Sequence, residues 1–191
     1  MNSPLDARLF PSTCSVKCLA LVRHAEAVFP ADNYFTSPGP GLSVVGARQV
    51  HHINRELADW LAFTPQVLLS SPFRRCVQTA TGIAPSMGLR TQIDWRLGEF
   101  HPKTGIQQKL SRDLVVLLRT IYGKPALLVS HGVVIEALMR LCGVQHFARR
   151  TPTMNTVEPG GVFTTVDGTN WSYLSPSIRA EERFLNSSET T

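Results

Sequence analysis

Three short stretches of the chain are apolar without a break: CLALV at 18–22, VLL at 67–69 and ALLV at 126–129. A strand with one wet face alternates apolar and polar residues, whereas a strand covered on both faces need not. Strands of this kind belong to parallel sheets, and a parallel sheet needs a crossover, usually a helix, between successive strands. The intervening segments supply the helices. From Val44 onward, Val50, Ile53, Leu57, Trp60 and Leu61 recur at the spacing of one helical face. A second helix is predicted to begin with Ser71 as its N-cap and Pro72 in its first position, and to run to about Ala84. A third places Leu110, Leu114, Leu117, Leu118 and Ile121 on one face and stops at Gly123 and Pro125. A fourth spans 133–141 and closes at Gly143. Weaker signals add a short strand near 91–93 and a hairpin of 162–166 with 171–174 around DGTN. The alternation predicts an α/β domain, a three-layer α/β/α sandwich with a mostly parallel central sheet.

The chain has 191 residues, 43% of them hydrophobic, enough for one domain with a core that needs no staples. That domain is expected over 17–175, preceded by a loose arm, 1–16, and followed by a flexible polar tail, 176–191. The net charge of +5 favours an anionic partner, but the arginines are scattered and no dense basic block occurs. A small anionic ligand is therefore expected and a nucleic acid is not. No run approaches the roughly 18 apolar residues of a membrane span, so no membrane partner is expected. Cys14, Cys18, Cys76 and Cys142 form no CxxC and no zinc-like set with histidine. They read as reduced thiols of a cytoplasmic protein, and neither a metal nor a cofactor is expected.

Ligands of parallel sheets sit beyond the carboxyl ends of the strands. There this chain places Arg23 and His24 after its first strand, and Ser70, Ser71 and Pro72 with Arg74 and Arg75 after its second. Ser130, His131 and Gly132 follow the late strand. Three separate strand ends thus converge two histidines and at least two arginines, near helix N-termini that present backbone N–H groups. The guanidinium fork suits two oxygens of one anion, so the set describes a pocket for a tetrahedral oxyanion, phosphate foremost. A neutral imidazole is also a nucleophile toward phosphorus. Neighbouring cations are expected to keep one histidine neutral by lowering its pKa, while the second donates to a phosphoryl oxygen.

The segments LVRHAEA, LSVVGARQV, SSPFRRCVQTA and LLVSHGVVIEAL occur in that order over residues 17 to about 142. Together they resemble the motifs of the histidine phosphatase superfamily, whose fold is the phosphoglycerate mutase-like one. The resemblance implies that His24 is the nucleophile that becomes phosphorylated and that Arg23 holds phosphoryl oxygens. It puts the phosphate arginine of the SSPxxRxxQTA frame on Arg75, with Arg74 its neighbour, and makes His131 and Gly132 the rest of the phosphate site. The family's proton donor often lies in an L-x-E segment, here Leu97-Gly98-Glu99, which points to Glu99. Asp94 and Glu26 are rival acids, and His101 is a candidate for the rim.

The sequence departs from the family pattern at Ala25 and Val133, where glycines are common. Only about thirty residues separate Glu99 from His131. Mutases and many sugar-phosphate phosphatases carry a longer capping insertion there, so the site is expected to be open, as in the short phosphohistidine protein phosphatases. The function implied is metal-independent hydrolysis of a phosphomonoester or phosphoprotein through phosphohistidine. A phosphoglycerate-type phosphomutase and a non-catalytic module binding a phosphorylated ligand are the alternatives.

Overall fold

The structure, a computed structural model, describes residues 16–99, 107–144 and 157–175. The strands are β1 (Leu19–Arg23), β2 (Val67–Ser70), β3 (Thr91–Ile93), β4 (Ala126–Ser130), β5 (Val162–Thr165) and β6 (Ser172–Leu174). The helices are α1 (Val44–Trp60), α2 (Arg74–Ile83), α3 (Gln107–Thr120) and α4 (Gly132–Leu141). Single 3-10 turns occupy Pro85–Met87 and Trp95–Leu97. All strands join one sheet in the order β3-β2-β4-β1-β5-β6. The first four run parallel, and the β5–β6 hairpin adds antiparallel to β1. Among the described residues no helix is long and apolar enough to cross a membrane.

The unbroken apolar runs are explained by what covers the sheet. Leu19, Leu21, Leu69, Ala126 and Leu128 face one layer, where Leu114, Leu117 and Leu118 of α3 and Ile135 and Leu138 of α4 pack. Their neighbours Ala20, Val22, Leu68, Leu127 and Val129 face the other, against Val50, Ile53 and Leu57 of α1 and Cys76 and Ala80 of α2. Successive strand residues point to opposite faces, so both parities must be apolar. The chain steps outward from β1 to β2 to β3, then reverses to insert β4 between β2 and β1. Right-handed crossovers then put α1 and α2 on one face and α3 on the other. The reversal also makes β1 and β4 neighbours, with Arg23 opposite Ser130.

Several sequence expectations shift by a few residues. Val16, placed at the end of the arm, is buried in the α3–α4 layer. The rest of the expected arm and the tail lie outside the described residues, as does the side chain of Leu110. Helix α2 starts at Arg74, with Phe73 as its N-cap and no side-chain cap. Ser71 and Pro72 therefore precede the helix instead of opening it. The Ser71 hydroxyl is engaged elsewhere, with His131.

Helix α1 is docked directly onto the chain that follows His24. Its N-cap Ser43 accepts from the Gly46 N–H at 3.0 Å and donates through Oγ to Glu26 Oε1 at 2.7 Å. The Ser43 N–H donates to the Glu26 carbonyl at 2.9 Å. A Cβ on Gly46 would overlap that same carbonyl, which is backbone and cannot swing away. Gly46→Ala is therefore expected to destabilise the fold by about 1–3 kcal/mol or more despite alanine's better helix propensity. Urea denaturation checks this, and an unchanged midpoint would show that the contact relaxes freely.

Candidate active site

The register of β1 and β4 brings the first and last motifs of the site together. His24 follows β1 directly, and its N–H donates to the Ser130 carbonyl at the end of β4 at 2.9 Å. His131 comes next on that strand and caps α4. The two imidazoles meet edge to face, with ring centroids 5.3 Å apart. Both are almost wholly buried.

The protonation of His24 follows from its partners. Nδ1 lies 2.8 Å from the Ala25 carbonyl, which can only accept, so Nδ1 carries the proton. Nε2 is left with its lone pair, to which the Arg75 Nε–H donates at 3.2 Å. Burial holds the His24 pKa well below the ordinary histidine value, and His131, Arg23 and Arg75 lower it further. The expected direction is met, but desolvation is the largest cause and neighbouring positive charge comes after it.

Arg75 is the hub. It stands in the first turn of α2 with no solvent exposure. Nη1 donates to the Tyr34 carbonyl at 2.9 Å and Nη2 to Glu99 Oε2 at 2.6 Å. The guanidinium carbon lies over the Tyr34 ring, 4.4 Å from its centroid, and over the Phe73 ring, 4.7 Å from its centroid. Arg74 is exposed and offers its backbone N–H to the Pro38 carbonyl. Of the two adjacent arginines, helical rotation turns only Arg75 inward.

His131 Nδ1 lies 3.2 Å from Glu99 Oε2, and Nε2 lies 2.8 Å from Ser71 Oγ. Glu99 is held in its ionised form, so Nδ1 donates to it and the Ser71 hydroxyl donates to Nε2. Burial lowers the His131 pKa against the opposing pull of Glu99. For Glu99 itself burial acts upward, but His131 and Arg75 outweigh it and keep the carboxyl below its ordinary range. One carboxylate thus rests on two of the groups expected to grip phosphate.

Arg23 donates Nη1 to the Val157 carbonyl. Its buried Nε–H has no partner among the described residues and is free for an oxyanion. Gly132 is buried at the first position of α4. The rival acids are occupied: Asp94 caps its own 3-10 turn and grips Arg96, and Glu26 accepts from Ser43. His101 lies outside the described residues.

Tyr34 and Thr79 belong to this site but carry no role in the sequence reading, and Ser71, expected as a helix cap at the strand end, instead serves His131. Thr79 Oγ1 accepts from the Ala25 N–H at 3.0 Å, and Gln78 Oε1 accepts from the Leu42 N–H at 2.8 Å. These two residues of QTA therefore fasten both ends of the segment after His24. That motif was the available signal for Thr79, whereas nothing local marks Tyr34.

The two neutral histidines couple folding to pH. Unfolded histidine binds its proton near pH 6.5, and in the fold both lie lower, so the unfolded chain binds more protons below that value. Stability is therefore complete above about pH 7 and falls as pH drops, by up to about 1.4 kcal/mol per pH unit for each histidine. Urea denaturation between pH 7.5 and 5.5 measures this, and a flat profile would contradict it.

The profile of the histidine phosphatase superfamily, branch 1, matches residues 19–114, half of the chain. No curated protein matches at the sequence level. Among solved structures, the putative phosphohistidine phosphatase SixA from Agrobacterium tumefaciens superposes with a TM-score of 0.64 at 19% identity, covering 84% of this chain and 99% of that one. A mycobacterial glucosyl-3-phosphoglycerate phosphatase superposes at 0.58 and 17% identity, over 82% and 96% of the two chains. A putative alpha-ribazole-5'-P phosphatase from Escherichia coli gives 0.57 at 18%, over 76% and 88%. These likenesses establish the phosphoglycerate mutase-like fold. With the matching profile over residues that include His24, Arg75 and Glu99, they place the chain in the histidine phosphatase superfamily.

Proposed function

We propose that this chain is a metal-independent phosphohydrolase that works through a phosphohistidine on His24. The observation that carries the reading is the His24 Nε2 lone pair, aligned by the Nδ1 hydrogen bond and set against Arg75. In the first step Nε2 attacks phosphorus and the ester P–O bond breaks. The leaving oxygen takes a proton from Glu99. Arg23, Arg75 and His131 hold the three remaining phosphoryl oxygens, so the required positive charge comes from side chains. In the second step the Glu99 carboxylate removes a proton from water as the water oxygen attacks phosphorus. The P–N bond breaks, phosphate leaves, and His24 is again neutral.

The Glu99 contacts explain how one residue can serve as acid and then base. Without substrate, Arg75 and His131 keep it ionised. A phosphate dianion binding those same groups takes them from Glu99 and adds negative charge beside it. Both effects raise its affinity for a proton, which is then available to the leaving oxygen. Glu99→Gln removes the acid and the competing anion together. Its turnover is expected to fall by about 10²–10⁴-fold, while inorganic phosphate binds more tightly than to the wild type. Calorimetric titration with phosphate checks the second part, and unchanged or weaker binding would contradict the exchange.

Hydrolysis of para-nitrophenyl phosphate in EDTA tests the reading as a whole. Undiminished turnover is expected, and activity that disappears with the chelator would contradict it. Among the described residues Cys18 and Cys76 are free thiols, which suits the reducing cytoplasm.

A further inference from the structure

The segment 28–41 between β1 and α1 forms a loop closed at its base by the Ala27–Leu42 bridge and a Val28 N–H to Gly41 carbonyl bond of 3.0 Å. It is fastened to the start of α2 by two bonds: Arg74 N–H to the Pro38 carbonyl and Arg75 Nη1 to the Tyr34 carbonyl. Gly39 has φ of +62°, and a Cβ there would lie 2.8 Å from the Thr36 carbonyl and 3.2 Å from Arg75 Nη1. The loop is thus packed against the phosphate arginine itself.

What the loop presents there is aromatic. The Tyr34 ring covers the Arg75 guanidinium, and Phe29 and Phe35 meet that ring edge-on at 5.5 and 5.2 Å. Phe29 is 74% exposed, Val28 50% and Phe35 46%. Scattered apolar side chains on a surface need no explanation, but adjoining aromatic ones beside a polar pocket mark a binding surface. The placement of the acid names the occupant. In an attack by His24 Nε2 the leaving oxygen departs on the side of Glu99, whose Oε2 is 2.6 Å from Arg75 Nη2, and the same guanidinium is covered by the Tyr34 ring. The only charged side chain in 28–41 is Asp32, an anion, which disfavours a second phosphate on that group.

We propose that Phe29, Tyr34 and Phe35 form the leaving-group subsite, and that the substrate is a phosphomonoester borne by a planar aromatic group. A ring there gains edge-to-face contacts and removes exposed phenylalanine from water, whereas a sugar places hydroxyls against apolar side chains. The proposal rests on the phosphohydrolase reading, and its test separates the two. Affinities of the full chain for phenylphosphonate and methylphosphonate, which cannot be hydrolysed, are measured for the wild type, Phe29→Ala, Phe35→Ala and the double variant. Turnover of phenyl phosphate and glycerol phosphate is followed alongside.

Wild type is expected to prefer phenylphosphonate by about tenfold or more, and each single variant to lose about 2- to 10-fold of that preference with methylphosphonate unaffected. The same pattern is expected in kcat/KM, where comparing variant with wild type cancels the intrinsic reactivity of each ester. Equal affinity for the two phosphonates, or a preference intact in the double variant, overturns the subsite even if both esters are hydrolysed. A phosphonate preference that depends on the phenylalanines, without hydrolysis of either ester, supports the subsite and overturns the phosphohydrolase reading instead.

Discussion

Replacing His24 with alanine is expected to lower turnover by at least about 10⁴-fold, the scale on which enzymes lose activity with their nucleophile. No neighbouring group can substitute. His131 turns a protonated Nδ1, not a lone pair, toward Glu99, and its Nε2 lone pair accepts from Ser71. Cys76 lies 3.5 Å from His131 through Sγ, but burial pushes its thiol pKa up to about 12, so it is no thiolate. The loss is expected in kcat, with phosphate still bound by Arg23 and Arg75. The variant also relieves the burial of one imidazole, so it is expected to flatten the acid limb of the stability profile. Turnover within tenfold of wild type would remove the nucleophilic role.

Arg75→Ala is expected to have the second largest effect and a different signature. The side chain is a donor to His24, Glu99 and Tyr34 at once, and its removal strands a carboxylate that is only 15% exposed. Deleting one partner of a buried ion pair typically costs about 3–5 kcal/mol. A substantial fall in the urea midpoint is therefore expected with loss of turnover. Arg75→Lys separates the two effects, because it keeps the charge but not the planar fork or its fit against Tyr34 and Phe73. It is expected to recover most of the stability while binding phosphate about 10- to 100-fold more weakly, the loss of one charge-assisted hydrogen bond. Near-normal phosphate affinity in Arg75→Lys would show that charge alone suffices.

The architecture was legible because the information lay in short stretches. Apolar runs without alternation required cover on both faces, and the helices between them had matching periods. The convergence of Arg23, His24 and His131 was legible for the same reason: polar residues stood directly at strand ends, and strand ends of a parallel sheet converge. Features set by long-range contacts were not. Ser71 carries the local signature of a helix cap, yet His131, sixty residues later in the chain, takes its hydroxyl. Tyr34 sits in a loop rich in turn residues, and only docking against α2 places its ring on Arg75. One histidine was expected to be kept neutral by neighbouring cations, whereas burial dominates the lowered His24 pKa, and burial belongs to the assembled fold. Glu99 was chosen over Asp94 and Glu26 by resemblance. The side-chain partners of the three supply a physical reason for that choice.

The phosphoenzyme itself gives the most direct test of the account. Wild type and His24→Ala are mixed with para-nitrophenyl phosphate, quenched in alkali during turnover to preserve phosphohistidine, and mapped by peptide mass spectrometry. A single phosphoryl group is expected on His24 in the wild type and none in the variant. Continued hydrolysis with no phosphorylated histidine, or with phosphate on another residue, would contradict it.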